Sequence, residues 1–239
     1  MRKIKKNFRF TVELIFVDIL VFISFYIFGI IRIKIQIKLS EQERRMEIRD
    51  YHVDDEIGWV RCRVLAFLDT AYYDNVLQKK ETYAHPSIEL VAIENQQVIG
   101  LIDIEYEEQA HTVCSRGEGI GGMIWHIAVH PDYRRQGIGH QLLKAAEKRA
   151  REKKLNRLEA WTRDDDWVNN WYIHNQFSLV DSYLHVFLDG DEMKQTLTSD
   201  IQELFPIQAF AHYVGKEQEN IKERFTRVHD CFCFEKKLL

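Results

Sequence analysis

The chain has 239 residues, of which 46% are hydrophobic and 29% charged, with three prolines, eleven glycines and four cysteines. This composition excludes collagen, low-complexity disorder and a disulfide scaffold, and suits one globular domain with an appendage, its core made by apolar packing. The net charge of −4 is unevenly spread: residues 1–45 carry ten Lys/Arg against four Asp/Glu, or +6, which leaves −10 on the other 194 residues. An acidic body without a basic stripe argues against a nucleic-acid partner, because phosphate neutralisation supplies most of such affinity, and is compatible with a cationic acceptor such as an amine.

Between Arg9 and Arg32 lie 22 residues whose only formal charges are Glu13 and Asp18. Leu14 to Ile31 would span roughly 27 Å as a helix, which nearly crosses a bilayer core. Fourteen Leu, Ile, Phe and Val residues there outweigh the roughly 3 kcal/mol cost of Asp18, so insertion as an anchor is energetically open. Five Lys/Arg on either side leave its orientation undecided, and no small-residue cleavage site marks it as a removed signal peptide. Ile31 to Leu39 then alternates apolar and polar residues, as a strand would. A separate reading takes everything before Met46 as upstream sequence joined by a mistaken start site, because composition and the sign of the charge change there. Either way residues 1–45 are an extension and 46–239 the working domain, with localisation cytoplasmic or, through residues 14–31, membrane-anchored. Oligomeric state is open.

Met46 to Tyr51 reads as a short strand. A helix carried by Ile57, Val60, Val64, Phe67 and Leu68 follows, with Asp54 at its start, and a second helical stretch runs to about Lys80. Ile88–Glu94 and Val98–Glu105 are β-branched apolar runs joined by Asn95-Gln96-Gln97, the pattern of an antiparallel hairpin. Tyr106–Gly122, polar and Gly-rich, reads as a loop, its glycines Gly117 to Gly122 as a mobile one. Next come a strand over Met123–His130, an amphipathic helix over Ile138–Lys153, a strand over Asn156–Thr162, a helix over Asp165–Asn175 and a strand over Val180–Leu188. That order implies an α/β unit with at least one parallel crossover. Residues 189–228 read as a largely helical insertion around Pro206, and His229–Phe234 as a last strand.

Two glycine patterns compete for chemistry. Gly117 to Gly122 satisfies the letter of G-x-G-x-x-G, but a dinucleotide fingerprint must follow a strand and open a helix, and here a strand comes next. Arg134-Arg135-Gln136-Gly137-Ile138-Gly139 has the right context, directly after one strand and opening an amphipathic helix. Amides of the turn and first helical turn lack internal partners, the helix dipole adds positive charge, and glycine lets a phosphate come close. No Lys-Ser/Thr follows Gly139, which disfavours a nucleoside triphosphatase.

Trp125 to Gly139 with the helix behind it closely resembles the acetyl-CoA motif of the GNAT N-acetyltransferases, whose signature is Arg/Gln-x-x-Gly-x-Gly/Ala. The resemblance covers about residues 46–188 and the last strand. It implies an α+β fold with a mixed, mainly antiparallel sheet flanked by helices, and transfer of acetyl from acetyl-CoA to an amine of a small molecule or peptide. It further implies that Arg134, Arg135 and the amides of Gln136, Gly137, Ile138, Gly139 and His140 bind the diphosphate, and that main-chain groups of Ile127 and Val129 pair with the pantetheine arm. An amide near Ile127 would polarise the thioester carbonyl. In the family a strand bulge opens the slot for the arm, a feature not visible in sequence.

Trp171 to Phe177 resembles the family's Phe-Tyr-x-x-x-Gly-Phe element, which places Tyr172 as the proton donor to the departing thiolate. Gln176 stands where the family has glycine, and Asp165 where many members have Asn. The base is unassigned: Met123 occupies the place of a glutamate used by some members, and Glu105 and Glu118 are the nearest carboxylates in chain order, each also readable as a surface residue. A non-catalytic acyl-CoA-binding regulatory module is the alternative function. No metal is expected: His126 and His130 lack a third ligand, and Cys62, Cys114, Cys231 and Cys233 read as reduced, mostly buried thiols. Residues lining the acceptor pocket are expected from the first two helices and the insertion, where motif content is least.

Overall fold

The computed structural model describes residues 31, 32, 34 and 46–238. Ile31, Arg32 and Lys34 are helical, whereas the period-two pattern of that stretch predicts a strand. The apolar run 14–30 lies outside the described residues, and among those described no helix is long and apolar enough to cross a membrane.

The chain runs β1 (Glu47–Asp50), α1 (Glu56–Phe67), β2 (Ser87–Glu94), β3 (Gln97–Tyr106), β4 (Gly121–Val129), α2 (Ile138–Glu152) and β5 (Arg157–Arg163). It continues through α3 (Asp166–His174), β6 (Ser178–Asp189), α4 (Gly190–Thr196), β7 (Gln208–Tyr213), α5 (Gln218–Arg224) and β8 (Arg227–Lys237). The strands form one sheet in the order β1-β2-β3-β4-β5-β8-β6-β7. All neighbours are antiparallel except β4 and β5, because only that pair is joined by a helical crossover, α2.

The β2–β3 hairpin turns on Asn95 and Gln96 at φ 49° and 63°, the doubly left-handed turn that matches strand twist. Gly100 and Leu101 of β3 point to opposite sheet faces. On one face Trp59, Cys62 and Ala66 of α1 pack against Val91, Leu101 and Ala128. On the other, α2 lies so close to Gly100 that a Cβ there would stand 2.9 Å from Leu142 Cδ1. The buried stripe of α2, Ile138, Leu142, Leu143, Ala146 and Ala150, has helical spacing, and each large apolar side chain so buried contributes roughly 1.5–3 kcal/mol.

Two stretches differ from their sequence patterns. Residues 69–86 hold no helix. Their backbone groups are taken by distant side chains: Asp165 accepts the Ala71 amide, Arg63 donates to Asn75 O and Glu56 accepts the Lys80 amide. The Lys80 ammonium, 2.6 Å from Glu89 and 2.9 Å from buried Asp103, pins the loop to the sheet. Residues 189–228 contain short helices α4 and α5, but β7 between them pairs along β6 from Asp189↔Gln208 to Leu184↔Tyr213. The strand is masked in sequence because its alternate residues, Ala209 and Ala211, are small.

Candidate active site

The parallel ladder between β4 and β5 runs only from Gly121↔Arg157 to Ile124↔Ala160. Beyond it the strands part. The cause is on the other edge of β4, where Asp103 pairs with His126 but Ile104 pairs with Ile124, so Trp125 is an extra, bulged residue. The bulge is fastened: Trp125 Nε1 donates to Glu105 Oε2 at 2.8 Å, while Oε1 accepts the His85 amide at 2.9 Å. Glu105 is therefore buried and engaged at both oxygens. Neither it nor Glu118 lines the cleft.

The His130 amide donates to Ile99 O at 2.9 Å. By strand alternation Ala128 also turns its backbone toward β3, whereas Ile127 and Val129 direct their N–H and C=O groups toward the gap left by β5. These two residues thus present a free strand edge inside a cavity of about 1280 Å³.

The edge leads to α2. Gly137, the residue preceding the helix, has φ 77° and makes no side-chain cap, and Arg135 is also left-handed at φ 64°. The amides of Ile138, Gly139 and His140 begin the helix and have no intrahelical acceptor. Among the described residues, a Cβ at Gly137 would meet only Gln141 Nε2 at 3.9 Å, so their side of the approach is open. Arg135 and Gln136 are exposed. The Arg134 guanidinium is committed elsewhere, to Asp69 at 2.7 Å and Ala66 O at 2.8 Å, with Trp167 beneath it. It clamps the end of α1 to this turn. His140 Nδ1 meets Asn175 Oδ1 at 2.8 Å, tying the start of α2 to the end of α3.

Tyr172 of α3 is buried, stacked on Phe234 at 5.2 Å and edge-on to Phe177. It lines the cavity, and its hydroxyl makes no hydrogen bond to the described residues. Burial pushes the phenol up, so it stays protonated at neutral pH. After α3 the chain reverses at Gln176, φ 68°, with the Phe177 amide on Tyr172 O. This is a glycine-type helix stop made with glutamine.

The opposite wall was not legible in motifs. His126 donates from Nε2 to Glu81 Oε2 at 2.5 Å, while its Nδ1 accepts Arg63 Nε at 3.3 Å. The bond to His126, with nearby Arg63 and Lys80, holds the Glu81 carboxyl below its ordinary value despite its partial burial. Further along, Arg163 Nε donates to His185 Nδ1 at 3.0 Å. Burial, with Arg163 and His212 nearby, pulls His185 down to about 3, so it is neutral. Tyr183, Phe210 and His212 complete this end, the last two supplied by β7.

The segment leading into and out of the Gly117–Gly122 loop is hydrogen-bonded to buried carboxylates. Glu107 accepts the amides of Cys114 and Gly121, Glu159 accepts those of Ser115 and Arg116, and a Cβ at Gly117 would collide with Arg157. His130 caps the turn at Asp132, and all four cysteines are buried and free.

Residues 58–172 match the family model described as the acetyltransferase (GNAT) family. An acetyltransferase of Pectobacterium atrosepticum is 27% identical over 141 residues, covering 57% of this chain and 90% of its own. One of Sodalis glossinidius is 29% identical over 144 residues, covering 58% and 92%. Among solved structures, a GNAT-family acetyltransferase of Streptococcus pneumoniae superposes with TM-score 0.52 at 16% identity over 81% of this chain and 99% of that one, a likeness of fold.

Proposed function

The chain carries an acetyltransferase domain of the GNAT family, and from that premise we propose that it moves an acetyl group from acetyl-CoA to an amine by direct attack on the thioester. One observation carries the reading: a free strand edge at Ile127 and Val129 runs into the open helix start at Gly137. A pantetheine arm carries amides that can pair with such an edge as an added strand would. The amides of Gln136 to His140 would take the diphosphate, with the α2 dipole behind them and no side chain at Gly137 to obstruct it. Arg135 adds charge from the exposed turn. Arg134 contributes through its backbone and by holding the turn in shape, since its side chain is already used.

Bound there, acetyl-CoA supplies the activated acetyl carbon. The amide of Ile127 faces the gap and would polarise the carbonyl, an oxyanion-type role worth a few kcal/mol. As the new C–N bond forms and the C–S bond breaks, the amine must lose a proton and the sulfur gain one. Glu81 is the carboxylate placed to receive the first. His126 orients it through Nε2–H, because Arg63 occupies Nδ1 and fixes that tautomer. Tyr172 gives the second, its phenol kept protonated by burial and free of a competing acceptor.

Calorimetric titration with acetyl-CoA, followed by thiol release with a panel of polyamines, aminoglycosides, amino acids and peptide N-termini, tests the reading. Micromolar binding with turnover of at least one amine is expected. Absence of acetyl-CoA binding would overturn it.

A further inference from the structure

Arg163 is the last residue of β5, and it stands three residues beyond the final β4–β5 ladder pair, as Ile127 does on the facing strand. Both residues line the cavity. Arg163 is only 4% exposed, yet it lines the cavity. Its Nε bonds to His185, a neutral imidazole, and its Nη1 bonds to the Ala71 carbonyl. Its Nη2 has no hydrogen-bond partner among the described residues, and it is not among the atoms sealed from solvent. Tyr72 and Phe187 lie against the guanidinium at 4.1 and 4.9 Å, which fixes its plane.

The carboxylates near Arg163 are otherwise employed. Asp74 is 3.7 Å from Nη1 but hydrogen-bonds Arg227 at 2.7 Å, so two guanidinium groups share it. Asp165 spends both oxygens on the Ala71 amide. A guanidinium held this rigidly, lining a cavity and with Nη2 unpaired among the described residues, suits a planar oxyanion. Beside it the rings of Tyr183, Phe210 and His212 make an aromatic wall, with Phe210 half exposed.

Resting on the acetyltransferase reading above, we propose that Arg163 is the acceptor-binding residue that takes a carboxylate, so that the substrates are amines bearing both a carboxylate and an aromatic group. The acceptor's nitrogen lies toward Glu81 and Ile127, its carboxylate on Arg163 Nη2 and its ring against the β6–β7 wall.

The test compares phenylalanine, 3-amino-3-phenylpropionate and phenylalanylglycine, each with its own carboxamide, in thiol release from acetyl-CoA. At least one acid is expected to exceed its amide tenfold or more in kcat/KM, and Arg163→Gln or Arg163→Lys is expected to bring that ratio toward one. A thermal melt and acetyl-CoA titration of each variant establish that it is folded. If no compound turns over, calorimetry on the CoA complex decides: an acid bound tenfold tighter than its amide sustains the proposal, and equal or weaker binding overturns it. Turnover in which every amide equals or exceeds its acid also overturns it while leaving the acetyltransferase reading intact. Failure to bind acetyl-CoA would remove both.

Discussion

Gly137→Glu probes the proposed anion site most directly. The parent glycine is left-handed at φ 77° and exposed, so a side-chain-bearing residue there costs about 1–2 kcal/mol of stability. In a domain of this size that lowers Tm by roughly 2–8 °C. The fold survives, since among the described residues the only atom near a new Cβ is the flexible tip of Gln141 at 3.9 Å. The larger effect is on the ligand. A carboxylate about 5 Å from a diphosphate carrying two charges, in the water-like dielectric of an exposed turn, costs roughly 1.7 kcal/mol, or about 18-fold in Kd. Gly137→Asn, which tolerates the left-handed backbone without charge, is expected to bind within about threefold of the parent. Titration with CoA at low salt and again near 1 M, where screening falls to about 3 Å, isolates the electrostatic part, which shrinks at high salt. A folded Gly137→Glu protein that binds CoA as tightly as the parent would refute the site.

Three further outcomes are expected. Gln176→Gly relieves the left-handed glutamine at the end of α3 and, after the entropy cost of a more flexible unfolded chain, raises stability by about 0.5–1 kcal/mol, read as a higher Tm. Tyr172→Phe keeps the stack on Phe234 and lowers kcat by about 10²-fold with acetyl-CoA affinity unchanged; an unaltered kcat removes the phenol from the mechanism. Burial alone would raise Glu107, but the amides of Gly121, Cys114 and Val113, with Arg157, outweigh it and hold the group below its ordinary 4.5. A lowered carboxylate contributes stability that is complete above the unfolded value and lost as pH falls through the folded one. Urea midpoints should therefore drop below about pH 4.5, and Glu107→Gln should flatten that slope.

The fold was legible wherever a local rule dictates structure. The α2 stripe, the β2–β3 hairpin and the β4–α2–β5 crossover depend on periodicity and neighbouring turns, and each lies within a few residues of its pattern. The segment 69–86 was not, because what holds it comes from far along the chain: Arg63, Asp165 and the Lys80–Asp103 pair. No window of sequence contains both halves of such contacts. The strand β7 escaped for a related reason: it borrows its order from β6 and shows little apolar alternation of its own.

The two sides of the cleft differ in the same way. The proposed coenzyme side is made of backbone, and backbone shape follows from local residues: glycine at the one position that needs φ 77°, and a helix start without a side-chain cap. Arg134 marks the limit of that logic, for the motif offered its charge to a ligand while its guanidinium is spent on Asp69 and Ala66. The proposed acceptor side is made of side chains from α1, the following loop, β5, β6 and β7. One faint signal existed there, a buried-type strand, Leu158 to Thr162, that ends in arginine. A buried charge at the end of a strand must find partners or face a cavity, and Arg163 does both. The bulge joins the two sides: with Trp125 fastened to Glu105 where β4 parts from β5, Ile127, the proposed coenzyme contact, and Arg163, the proposed acceptor contact, come to line one cavity. Loss of the Glu105 carboxylate should therefore weaken both binding events together, whereas loss of Arg163 should weaken only one.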